Sequence, residues 1–218
     1  TSALTLANVS GTIFNLNNTN QTVGTVSGGG SSGGDITLGS GNLTVNQTAV
    51  GTFAGLISGT GGLTLSGSST DVLTLSNASN SYTGNTTLNG GTLSISSDSN
   101  LGTPPGVATS GKLAFNGGTL KNTASITLDA NRGMALNASG GTIEVDTAAT
   151  VNYNGIMAGA GALTKAGSGT LILGGINTYT GNTAINAGVL SITNNTGLSA
   201  TTNISVASGG TLDLNFNA

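Results

Sequence analysis

The sequence has no cysteine, no histidine and no tryptophan, two prolines, and four Lys or Arg residues. Each absence excludes something. Without cysteine there is no disulfide scaffold and no thiolate metal site. Without histidine, the commonest general base and zinc ligand is missing. Four cations in 218 residues, against seven acids, cannot neutralise a phosphate backbone, so nucleic acid is not expected as a partner. Charged residues are 5% of the chain, and exposed helix faces are normally built from Lys, Glu and Arg, so helices are not expected either. No apolar run approaches the ~20 residues that would span a bilayer, and no cationic-then-apolar leader opens the chain. Any leader or membrane anchor is therefore expected outside it, and this segment is not expected to insert in a membrane.

What the chain does contain is glycine, 38 residues of it, and short runs in which an aliphatic residue alternates with Thr or Ser. Leu63-Thr64-Leu65, Leu93-Ser94-Ile95 and Leu190-Ser191-Ile192 are examples. Each run is bounded by Gly, Asn or Ser, the pattern of a short strand with one buried face. A disordered low-complexity chain would share the low charge, but the 36% hydrophobic content and its regular alternation favour folding. Paired glycines close to strands, such as Gly61-Gly62 and Gly140-Gly141, are read as corners. A phosphate-cradling loop would need a Gly-Lys-Ser/Thr ending and a following helix, and neither is present.

The chain nearly repeats itself. Residues 41–95 return as 141–192: Leu43 and Val45 fall on Ile143 and Val145, Phe53 on Tyr153, and Tyr82-Thr83-Gly84-Asn85-Thr86 on Tyr179-Thr180-Gly181-Asn182-Thr183. Inside that long period a phrase of roughly the form Gly-Thr-Leu recurs at Gly91, Gly118, Gly141 (with Ile143), Gly188 (with Val189) and Gly210. Spacings of that order mark one or two coils of a solenoid with ~20 residues per coil. The expected fold is all-β, a single-stranded parallel β-helix of about ten coils, with residues 1–218 forming one segment. In such an array copies are expected to stack so that like residues lie over like.

No catalytic, cofactor-binding or metal-binding residue set is expected. The one close acidic pair is Glu144 and Asp146, two apart and so on one face of a strand. It could serve sugar hydrolysis or calcium, but the first copy carries Thr44 and Asn46 there, and calcium needs several more oxygen ligands. Tyr82, Gly84, Asn85 and their counterparts Tyr179, Gly181 and Asn182 are structural corner candidates, each tyrosine covering a corner with its hydroxyl toward water.

Two phrases carry a family resemblance. One runs Gly159-Ala160-Gly161-Ala162-Leu163-Thr164, then Gly167-Ser168-Gly169-Thr170-Leu171, then Asn177-Thr178-Tyr179-Thr180-Gly181-Asn182-Thr183. The other is the looser first copy around Gly59-Thr60-Gly61-Gly62-Leu63-Thr64. Both resemble the autotransporter-associated β-strand repeat of passenger regions in type V secretion. Asn20-Gln21-Thr22-Val23-Gly24-Thr25-Val26 is similar to a phrase found upstream of it. The resemblance implies a right-handed parallel β-helix, extracellular or at the surface of a Gram-negative-type bacterium, acting as a non-enzymatic stalk or adhesin. Its expected partners are neighbouring coils of the same or a longer polypeptide, a host or biofilm surface, or further copies. Gly210-Thr211-Leu212-Asp213-Leu214-Asn215 resembles Gly11-Thr12-Ile13-Phe14-Asn15-Leu16, which points to a segment cut from a longer array, with copies that stack end to end as a filament the alternative. A carbohydrate-active β-helix using Glu144 or Asp146 is a further alternative. An ice- or surface-binding Thr lattice is disfavoured by the uneven rung lengths.

Overall fold

Runs of three to five residues with one aliphatic face cannot bury that face alone; they must be wound onto neighbours of the same kind. The computed structural model, which describes residues 1–198 and 203–215, shows such winding throughout. Strands of two to seven residues pair in parallel into ladders on three faces of a solenoid. Face I is a ten-stranded sheet from Leu4–Leu6 to Ile204–Val206. Face II begins with Ile13–Asn15, Asp35–Thr37 and Ile57–Ser58, and resumes as five strands from Ile126–Leu128 to Gly210–Leu214. Face III holds seven strands from Gln21–Val23 to Met157–Ala158.

Ten strands on face I mark nine turns. Leu4 and Val206 hold equivalent places on the first and last, 202 residues apart, or roughly 22 residues per turn. At about 4.8 Å per rung the nine turns rise about 43 Å.

The core is the set of inward residues, stacked in columns. On face I, Leu73, Leu93, Leu120 and Ile143 lie over one another, each about 1% exposed or less. Such a side chain contributes about 1.5–3 kcal/mol on burial. Outward positions stack too. Thr22, Thr44, Thr64 and Thr87 form one column on face III, continued by Ala114, Ala135 and Ala158. Uneven turn lengths therefore do not break the ladders, because the extra residues are taken up at the corners.

The two long copies do not stack in phase. Leu43–Asn46 lies on face III, whereas its counterpart in Gly141–Val145 lies on face I. Gly51–Phe53 lies on face I and Thr150–Tyr153 on face II. From one copy to the next the chain passes thirteen faces, four turns and a third, so the second copy is rotated by one face. Like lies over like within a ladder, and copy does not lie over copy.

Glycine is needed where coils crowd. A Cβ on Gly61 would come within 1.8 Å of the Gly41 carbonyl oxygen in the coil before it. Gly140 holds a φ of +69°, a conformation that side chains resist. One short helix departs from the all-β expectation, a 3-10 turn at Asp98–Leu101 on face II. Ser97 caps it, and the Asn100 side chain accepts from the Ser96 and Ser97 amides at 2.9 and 2.8 Å. Local side-chain bonds of this kind compete with strand pairing, which accounts for the missing face II strand in that coil.

Candidate functional site

Glu144 and Asp146 do lie together on the outside of face I, Glu144 between the buried Ile143 and Val145 and Asp146 just past the end of the strand. They do not face solvent alone. Lys121 stands opposite Glu144 on the neighbouring strand, its Nζ 2.7 Å from Glu144 Oε1 and 2.8 Å from Asp146 Oδ1. The bonds to Asp146 and Glu144 raise the lysine's pKa. All three side chains are about one-third exposed, so the cluster is a surface ion network worth at most about 1 kcal/mol per pair. Chemically it is a pair of carboxylates sharing one ammonium, whereas hydrolysis of a glycoside needs one acid held protonated.

The other three cations are also spent within the chain. Arg132 is 2% exposed and donates from Nε to Asp98 Oδ1 at 2.9 Å, and to the carbonyls of Leu101 and Gly102. It thereby ties down the helical turn at Asp98–Leu101. Lys112 donates to the Thr83 carbonyl, and burial lowers its pKa. Lys165 is an inward residue of face I, between Ile143 and Ile185, where the first copy has Leu65. Its Nζ turns to the corner and donates to the carbonyls of Ala166, Gly167 and Ala187 at 2.8, 2.7 and 3.2 Å. Burial lowers its pKa to about 8. Asn122 is a different intrusion, fully buried between Ile95 and Val145 with no protein partner for either carboxamide atom.

The tyrosines are placed deeper than a corner cover would be. Tyr82 and Tyr179 are both 0% exposed, and their hydroxyls meet Thr86 Oγ1 at 2.8 Å and Thr183 Oγ1 at 2.6 Å rather than water. Burial pushes Tyr82 up to about 12 and raises Tyr179 as well. The reason is the path of the chain. Ser81 and Thr83 amides bond the carbonyls of Ile57 and Gly59, so the intervening Tyr82 points inward like a strand residue. Thr178 and Thr180 do the same against Met157 and Gly159.

Gly84 and Gly181 sit against the coil before them, where a Cβ would come within 2.1 Å of the Gly61 oxygen and 2.2 Å of the Gly161 oxygen. The carbonyls of Asn85 and Asn182 accept from the Leu63 and Leu163 amides, both at 2.9 Å. Two residues of the unit carried no role in the sequence reading. Asn80 and Asn177 are about 5% exposed; each accepts from the coil before, the amides of Ile57 and Met157 at 2.9 and 2.8 Å. Each also donates to the coil after, to the carbonyls of Asn100 and Gly197. Their recurrence two residues before each tyrosine was the available signal.

Among the described residues no group of three or more metal-ligating side chains converges. No described helix is long and apolar enough to cross a membrane.

Comparison with known proteins agrees with this geometry. Residues 69–95 and 163–192 match the passenger-associated-transport-repeat family, and the two matched stretches contain Tyr82 and Tyr179. Over 165 residues, 75% of the chain, the sequence is 38% identical to the adhesin BmaC autotransporter of Brucella suis biovar 1 (strain 1330). The chain spans about 4% of the length of that relative. No solved structure matches it significantly.

Proposed function

We propose that this parallel β-solenoid, an autotransporter passenger-type segment by its repeats and its homology, serves as a non-enzymatic adhesive stretch of a bacterial surface or secreted protein. The observation that carries the reading is the 38% identity to an autotransporter adhesin across three quarters of the chain. The geometry supports it: Lys121 bridges the two acids best placed for catalysis, and the outer surface is ordered in columns of hydroxyl and small side chains. Such columns suit weak contacts repeated at about 4.8 Å along a rod. The test displays the chain on beads or on a non-adherent bacterium and counts attachment to host cells, to abiotic surfaces and to one another. Attachment no greater than that of bare carriers would overturn it.

A further inference from the structure

The corner between faces I and II is uneven in the first copy. The first two coils carry six-residue connections there, 7–12 and 29–34, and the fourth carries 76–80, but the third crosses in three residues, 54–56. The missing loop leaves a slot of about 510 Å³ between the loops of its neighbours. Two rungs separate those walls, about 10 Å.

The first wall is firm. Gly30 and Gly33 pair as a small antiparallel bridge, the Ser32 amide donates to Asn8 Oδ1 at 2.8 Å, and the Gly34 amide bonds the Thr12 carbonyl. The far wall is an Asn77 turn, its Oδ1 accepting from the Ser79 amide at 2.8 Å. The second copy has no such slot, because 154–156 is flanked by connections of only three and four residues, 129–131 and 174–177.

The lining selects a ligand class. Ser10, Ser31, Ser32 and Ser79 line the slot, and their hydroxyls make no bond to protein among the described residues. Asp35 accepts from the Leu56 amide through Oδ1 at 2.8 Å, which leaves Oδ2 for a ligand hydroxyl. Ile13, 57% exposed, and Leu56 lie on the rungs either side of Asp35 and give apolar surface along the base of the slot. The floor's backbone is already used, with the Leu56 carbonyl accepting from Ile36, so a peptide cannot add as a strand. The one charge is negative and no cation lines the slot, which disfavours anions.

We propose that this slot binds a neutral oligosaccharide, its ring faces on Ile13 and Leu56 and its hydroxyls on the serines and Asp35. This deepens the adhesive reading and rests on it for its biological sense. The test titrates the full chain by calorimetry with neutral pentasaccharides of glucose, galactose and mannose, and with a sulfated oligosaccharide.

Saturable binding of at least one neutral sugar is expected. Ser79→Trp, which fills the slot from an exposed position, is expected to weaken it at least tenfold. Asp35→Asn, which keeps the acceptor for Leu56, is expected to weaken it several-fold. Ala138→Trp, at an exposed site outside the slot, is expected to change nothing. Thermal melts establish that each variant folds. No neutral ligand, tighter binding of the sulfated sugar, or undiminished binding by Ser79→Trp overturns the proposal. Bead attachment separates the two ideas: attachment retained by Ser79→Trp removes the slot and leaves the adhesive reading. Sugar binding without any attachment does the reverse.

Discussion

Lys165 makes the solenoid's stability depend on alkaline pH in a way that can be worked out. The side chain occupies the place of Leu65 in the first copy, with its ammonium on three carbonyls of the corner. Burial lowers the group from 10.5 to about 8 in the fold. At pH 7 both folded and unfolded chains are protonated, and the fold bears the cost of holding the charge. Between about 8 and 10.5 the unfolded chain binds more protons than the folded one, so stability rises with pH through that window.

The gap between 10.5 and about 8, at roughly 1.4 kcal/mol per pKa unit, caps the gain at about 3 kcal/mol. The three carbonyls belong to half-buried residues, so solvent screens the cage, and we expect about 1–2 kcal/mol. Lys165→Leu restores the aliphatic column between Ile143 and Ile185. It is expected to raise the melting temperature at pH 7 by about 2–6 °C and to flatten the rise between pH 8 and 10. Lys112, also lowered by burial, adds a smaller rise that the variant retains. Above pH 10 the buried tyrosines, with raised pKa values, reverse the trend in both proteins. Circular-dichroism melts and urea titrations from pH 7 to 10 are the assay. A variant less stable at pH 7, or an alkaline rise identical in both proteins, would refute the reasoning.

Arg132→Met strands Asp98 and frees the helical turn, and a loss of about 3–5 kcal/mol is expected in urea unfolding. Asn122→Leu replaces a buried, unpartnered carboxamide between Ile95 and Val145, and a gain of about 1–3 kcal/mol is expected by the same measurement. Tyr179→Phe leaves the fully buried Thr183 hydroxyl without its partner, costing about 1–3 kcal/mol, with Tyr82→Phe costing a similar amount because Thr86 is equally enclosed. Asn177→Ala removes a clip between three coils, and amide hydrogen exchange is expected to quicken at Met157, the donor it leaves unpaired.

Much of this fold was legible residue by residue. Alternation told which side chains point inward: Leu63 and Leu65 are buried and Thr64 is half-buried, as the phrase demands. The candidate site was legible only in part. The spacing of Glu144 and Asp146 put them on one face, but Lys121 is 23 residues away from Glu144, one coil below, and no local pattern announces it. The hydroxyls of Tyr82 and Tyr179 were expected at the surface because the following Thr-Gly-Asn reads as a turn. The Asn clips and the pairing of the flanking amides pull the rings inside.

The sequence by itself determined the rung: a short strand, its inward aliphatic, its outward hydroxyl, and a corner of Gly or Asn, because each is set by a few neighbouring residues and the side-chain period of two. Only the tertiary structure decided where around the axis each rung falls. That depends on the number of faces crossed since the last copy, and thirteen is not a multiple of three, so the hundred-residue echo returns one face away. It also decided which coil lacks a loop between two that have one, and hence where a slot can open. Azimuth and neighbourhood accumulate along the whole winding path, and no single phrase of the sequence records them.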